Sequence, residues 1–188
     1  MLGIQSRLNE NIKLIQFRAN NLSEELYFNY AEKIYSLCKK ENAQLMLNTS
    51  LKNYKKYMAY NFSHGLHLNS KEMKLFSLGE LDEGILVSTS THNHEELMLA
   101  EKNKVDFILL SPVNKTDSHP NSIPLGWENF KQLAERATVP VYALGGMTKN
   151  DIKTAKVNGA QGVAAIGEFW MFKYGFLKIK YLLRYFFR

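Results

Sequence analysis

Val141-Tyr142-Ala143-Leu144-Gly145-Gly146-Met147, followed by Gly162-Val163-Ala164-Ala165-Ile166-Gly167, decides how this chain is read. Each is a short apolar run ending in glycine, and a helical pattern from Lys149 to Val157 lies between them. Buried parallel strands read as continuous apolar runs because helices cover both faces of such a sheet. Glycine at the C-terminal end of a strand lets backbone N–H groups approach a ligand with no Cβ in the way. Two such turns in succession match the phosphate site of a TIM (β/α)8 barrel, built from the loops after strands seven and eight. Two ordinary βα turns are the plain alternative.

The rest of the chain supports the barrel. Further apolar runs occur at Lys13–Phe17, Ala43–Leu47, Gly65–Leu68, Gly84–Ser88 and Phe107–Leu110. Helical patterns separate them over Ser23–Glu41, Leu51–Tyr60, Glu95–Asn103, Trp127–Ala137 and Lys149–Val157, with a short helix and a loop over Ser70–Asp82. Ser23 and Asn93 stand where N-caps belong, each before glutamates in the first turn. Asn150-Asp151 has a similar place later, and Gly159 follows the last helical residue as a C-terminal cap. Strict alternation of strand and helix means a parallel sheet. The count is seven strands, and a closed barrel needs eight. The missing one should precede Leu2, whose helical pattern runs to Asn11 as the first barrel helix, unless another element fills the gap.

At 188 residues and 45% hydrophobic content, the chain can bury one substantial core. Its single cysteine, Cys38, rules out a disulfide framework, reads as a half-buried helix residue, and fits a reducing cytoplasm. No signal-peptide pattern opens the chain, so a cytoplasmic location is expected. The net charge of +6 is local. From Phe169 onward stand Lys173, Lys178, Lys180, Arg184 and Arg188 with no acid, leaving 19 basic against 18 acidic residues in the body. The same twenty residues hold nine of the 23 aromatics. A nucleic-acid surface is therefore not indicated. Residues 1–168 form the expected barrel, and 169–188 a basic aromatic C-terminal helix or extension. Part of that segment should be the eighth barrel helix; a homodimer cover and contact with a membrane surface are the other readings.

The strand ends carry residues in an order that resembles the thiamine phosphate synthase/TenI family. Gln16-Phe17-Arg18, Leu47-Asn48, His67-Leu68, Ser90-Thr91-His92, Ser111-Pro112-Val113, Thr116-Asp117-Ser118, Gly126 and Gly145-Gly146 each resemble a family motif. A TenI-like domain fused behind Nudix hydrolases is the version this chain resembles best. Gly65-Leu66-His67-Leu68-Asn69-Ser70 and Pro124-Leu125-Gly126-Trp127-Glu128 carry that likeness, although the chain shows no Nudix box.

The resemblance implies an enzyme that joins a pyrimidine methyl diphosphate to a thiazole phosphate, releasing pyrophosphate with Mg²⁺ assistance. Arg18 would fork two N–H groups onto diphosphate oxygens. Asn48 would hydrogen-bond the pyrimidine edge, having both donor and acceptor. Gln16, Ser90, Thr116 and Ser118 would contact substrate, and Gly145, Gly146, Ile166 and Gly167 would offer backbone N–H groups to the thiazole phosphate. Glu72 would be the metal carboxylate.

Departures accompany the matches. Asn20 stands where synthases carry a lysine, Thr49 replaces an aspartate, and His119 replaces a loop lysine. The TenI branch isomerises a thiazole tautomer with a general base. Its catalytic histidine would fall at Pro112, so His119 or His92 would have to substitute. The runner-up function is a non-catalytic phosphate-ligand or partner domain, serving a separately encoded Nudix hydrolase.

Overall fold

The computed structural model describes residues 12–19, 22–61, 63–77, 79–116, 122–165 and 178–184, the last of these as backbone. Seven parallel strands run in chain order: β1 (Leu14–Arg18), β2 (Gln44–Asn48), β3 (Gly65–Leu68), β4 (Leu86–Thr91), β5 (Phe107–Leu110), β6 (Val141–Leu144) and β7 (Gly162–Ala165). Each hydrogen-bonds to the next as neighbour. The helices between them are α1 (Glu24–Lys40), α2 (Leu51–Met58), α3 (Ser70–Met73), α4 (His94–Lys102), α5 (Gly126–Ala134) and α6 (Ile152–Val157). A 3-10 turn over Lys149–Asp151 leads into α6.

The gap left by seven parallel strands is filled from the other end of the chain. Strand β8 (Lys178–Arg184) lies between β7 and β1, antiparallel to both, and closes the barrel. The tail from 169 to 188 was expected as a helix or extension, and its described part, Lys178–Arg184, is strand. Closure satisfies the two strand edges that a seven-strand sheet would leave open. The expected helix over Leu2–Asn11 lies outside the described residues, as do 166–177 and 185–188.

Two apolar layers hold the barrel. The outer one fills the space between sheet and helices, with Ile15 and Phe17 of β1 and Val163 of β7 packed against helical residues. On α1 that face is Tyr27, Ala31, Ile34 and Cys38, a 3.6-residue stripe. Cys38 is fully buried rather than half-buried, and burial pushes its thiol up to about 12, so it stays protonated. The inner layer is Leu14, Met46, Phe107, Leu109, Tyr142, Leu144 and Ala164, with Leu86 against it.

The caps explain the helix starts. Ser23 Oγ accepts the Leu26 N–H at 3.3 Å, and Asn93 Oδ1 accepts the Glu96 N–H at 2.9 Å. Asp151 is the N-cap residue of α6, as expected of Asn150-Asp151, while Thr148 caps the 3-10 turn before it. Its N–H and hydroxyl both donate to the Asp151 carboxylate, at 2.8 and 2.7 Å. No helix among the described residues is long and apolar enough to cross a membrane.

Candidate active site

In a parallel barrel the C-terminal strand ends face one rim, where loops and helix N-termini leave polar groups for a ligand. Here that rim has two unlike sides. On the first, a cleft of about 390 Å³ opens beside the ends of β1–β3 and is lined by Ala19, Asn48, Thr49, Asn69, Glu72 and Tyr27, among others. That volume suits a small ligand. Of the residues singled out from sequence, Asn48 and Glu72 meet in this cleft although they come from different βα units. Thr49, read from sequence as the replacement of an aspartate, also lines it, and Tyr27 and Glu24 are among the lining residues that sequence reasoning did not single out. The signal for Glu24 is position, since it opens α1 beside its Ser23 cap.

Tyr27 ties two strand ends together. Its hydroxyl donates to the carbonyl of Phe17 at 3.2 Å and approaches that of Asn48 at 3.4 Å. Its ring lies 4.7 Å from Phe17 and stacks on Tyr57 at 5.7 Å. Burial pushes the Tyr27 phenol well up, with the neighbouring Tyr57 adding to the effect, so it serves as a donor at every working pH. Glu24 is engaged by Lys56, whose Nζ reaches both carboxylate oxygens at 2.9 and 3.2 Å. Asn69 Oδ1 accepts the backbone N–H groups of Lys71 and Glu72, both at 2.9 Å, which fixes the start of α3 and the place of Glu72.

Gln16 and Arg18 do not line the cleft. Leu14 belongs to the inner layer, and strand alternation puts Gln16 and Arg18 on the same interior face. Gln16 is 1% exposed, and neither Nε2 nor Oε1 has a hydrogen-bond partner among the described residues. Arg18 ends β1 half-buried, one residue before the cleft residue Ala19. Ser90 joins a buried polar chain inside the barrel: its Oγ lies 3.1 Å from His67 Nε2, and His67 Nδ1 lies 2.8 Å from Ser88 Oγ.

On the second side the turns after β5 and β6 pack directly on each other. Gly145 and Gly146 have φ of 102° and 66°. A Cβ on Gly145 would stand 2.7 Å from Pro112 Cα, and one on Gly146 would stand 2.9 Å from Asn114 Cβ. The Val113 N–H donates to Leu144 O at 2.9 Å, and the Asn114 N–H to Gly145 O at 3.1 Å. Glycine is required here because the loop after β5 packs directly on the turn after β6. The Lys115 carbonyl sits 3.1 Å from the same hypothetical Gly146 Cβ, so Thr116, the next residue, is brought beside the Gly-Gly turn. His92 is exposed, and its Nδ1 lies 2.6 Å from Ser111 O. A carbonyl only accepts, so Nδ1 carries a proton in this contact. Ser118, His119, Ile166 and Gly167 lie outside the described residues, as does Asn20.

A closed α/β barrel with polar strand ends around a small-ligand cleft at its C-terminal face defines the class: a TIM-like barrel of the enzyme type. The chain belongs to the thiamine monophosphate synthase family, whose model matches residues 3–169. It is 32% identical over 166 residues to the putative thiamine-phosphate synthase 2 of Aquifex aeolicus, covering 88% of this chain and 87% of that protein. It is 30% identical to the thiamine-phosphate synthase of Prochlorococcus marinus strain AS9601, again over 88% of this chain but only 46% of the relative. Among solved structures, the thiamine phosphate pyrophosphorylase of Pyrococcus furiosus superposes with a TM-score of 0.69 at 18% identity. That match covers 86% of this chain and 76% of the other. At that identity the likeness speaks for the fold.

Proposed function

We propose that this chain joins a pyrimidine methyl diphosphate to a thiazole phosphate, releasing pyrophosphate. The observation that carries the reading is the meeting of Asn48 and Glu72 in one cleft at the ligand face of a barrel of this family. A dissociative transfer needs no nucleophilic side chain. It needs groups that orient the pyrimidine, cations on the departing diphosphate, and donors for the thiazole phosphate. Asn48 orients the pyrimidine edge through its amide. Arg18, next to the cleft, takes diphosphate oxygens. Thr116 and the Gly145 and Gly146 backbone take the thiazole phosphate from the opposite side, a grouping supported by the contact between their two loops.

The acidic residues fit a divalent cation only as a species shared with substrate. Mg²⁺ sites use one or two carboxylates plus phosphate oxygens. Glu72 is the carboxylate for that role, since Glu24 is paired with Lys56. No cluster of three His, Cys, Asp or Glu encloses a metal among the described residues. When bound, Mg²⁺ would offset negative charge on the leaving diphosphate.

The test is a turnover assay with both substrates and Mg²⁺. Product should form at a rate that falls about 10- to 100-fold in Arg18→Ala, the value of one charge-assisted contact. Equal rates in the two proteins would remove Arg18 from the mechanism. One feature favours the runner-up, a non-catalytic ligand-binding domain: among the described residues, no Lys or Arg lines the cleft. Thiazole phosphate binding without any product would establish it.

A further inference from the structure

His67, on β3, is fully buried, and both of its ring nitrogens meet serine hydroxyls of the next strand. Nδ1 lies 2.8 Å from Ser88 Oγ, and Nε2 lies 3.1 Å from Ser90 Oγ. The register explains the arrangement. Asn48 of β2, His67 and Ser88 stand in one row across three neighbouring strands, so they share a face of the sheet. On β4, Leu86 packs on the inner layer, and two and four residues further on Ser88 and Ser90 return to that interior face. The two serines differ in depth. Ser88 is fully buried, and its hydroxyl approaches Met46 Sδ at 3.7 Å. Ser90, one residue before the C-terminal end of β4, is only half-buried. The chain Ser88–His67–Ser90 therefore runs from the dry interior to the ligand end of the barrel.

Burying an imidazole is costly unless its nitrogens are paired, and an apolar side chain would fill the same place without that cost. What distinguishes this chain is where it ends. The Ser90 main chain is held separately, its carbonyl accepting from Ser70 Oγ at 3.3 Å. Ser70 opens α3, the helix that carries Glu72 into the cleft. Backbone and hydroxyl of one serine at the ligand end are thus fixed by two different elements, which is how a polar atom is kept at a set place and angle. Asn48, on the other side of His67, lines the cleft. Neighbouring strands lie ~4.8 Å apart, so Asn48 and Ser90 flank β3 within the reach of one substituted ring. We infer that His67 is a positioning residue: it holds the Ser90 hydroxyl so that Ser90 and Asn48 contact the pyrimidine substrate from the two sides of β3. His67 acts through Ser90 and does not itself touch substrate. The inference rests on the reading above that Asn48 orients the pyrimidine.

Two replacements of the histidine, made in the full chain, separate its two bonds. A glutamine amide reaches the place of Nε2 and keeps a partner for Ser90, whereas an asparagine amide reaches only the place of Nδ1 and keeps Ser88. His67→Asn should lower kcat/KM for the pyrimidine methyl diphosphate about 3- to 10-fold, the worth of one neutral hydrogen bond. KM for the thiazole phosphate should not change. His67→Gln should recover most of the loss. Ser90→Ala, a mild truncation, should match His67→Asn, and the double variant should fall no further than either alone, because a deleted hydroxyl cannot be misplaced. A histidine that serves folding alone would give losses that multiply and a glutamine variant no better than asparagine. Either result in folded variants overturns the inference, as does unchanged turnover in Ser90→Ala. A further readout needs no histidine variant. With ¹⁵N-labelled histidine, the pyrimidine methyl diphosphate alone should shift the His67 Nε2 resonance in the unaltered chain and not in Ser90→Ala. Absence of that shift in the unaltered chain also overturns the inference. No product from the unaltered chain overturns the synthase reading and this inference together.

Discussion

The two sides of the ligand rim are built on opposite terms. Around β5 and β6 the turns are jammed together, with Pro112, Asn114 and Lys115 filling the space that side chains at Gly145 and Gly146 would need. Around β1–β3 the rim is open, and its strand ends are linked by Tyr27, whose hydroxyl spans the Phe17 and Asn48 carbonyls. A glycine pair invites a ligand-binding reading wherever it ends a strand. Here it is first a packing joint, and the cleft lined by Asn48 and Glu72 lies several strands away. A jammed rim positions backbone atoms without help, whereas an open rim depends on single side chains. Substitutions should therefore cost folding on one side and function on the other.

The strongest test of the contrast is Gly145→Ala. A methyl at a φ of 102° meets backbone 2.7 Å away, so strain and overpacking should together remove about 3 kcal/mol. Chemical denaturation would show it, and wild-type stability would mean the joint is loose. Tyr27→Phe is the matching probe of the open side. It keeps the ring stack but deletes the hydroxyl, and should cost about 1 kcal/mol while raising KM more than it lowers the unfolding midpoint. An unchanged KM would mean that Tyr27 merely fills space.

The smallest effect should come from His64, at the opposite end of the barrel. Its Nδ1 accepts the Leu45 N–H at 3.0 Å, and burial holds its pKa below the ordinary value. The folded state therefore binds fewer protons there than the unfolded state. Its stability contribution is complete above the unfolded pKa near 6.5 and is lost as pH falls through the folded value. His64→Gln should flatten the fall in unfolding midpoint below about pH 6.5 while leaving ligand affinity at neutral pH unchanged. A change in affinity there would show that the two ends of the barrel are coupled.

Local patterning carried much of this molecule. The runs Phe107–Leu110 and Val141–Leu144 read as buried strands because both of their faces are covered, and they are strands at those same boundaries. Ser23 and Asn93 cap helices because a short side-chain acceptor next to free N–H groups has its effect within three residues. The meeting of Asn48 and Glu72 was legible only through the order of motifs along the chain, which stands in for the geometry of a barrel rim. Other features could not be read this way. Asp151 does hold the N-cap position of α6, but its carboxylate accepts from Thr148 in a capping box ahead of the 3-10 turn rather than from the helix.

What the sequence determined by itself is the alternating strand and helix order, seven buried parallel strands, and the face each helix turns inward. Those features depend on periodicities of two and 3.6 residues, which neighbours along the chain fully specify. Only the tertiary structure decided that Gly145 and Gly146 seat a neighbouring loop, that Tyr27 bridges two strand ends, and that Lys178–Arg184 enters as a strand running the opposite way. The alternating segment Lys178-Ile179-Lys180-Tyr181 presents two different faces whichever direction it runs. Its direction and register follow from the empty place between β7 and β1, and that place exists only once the barrel has curled.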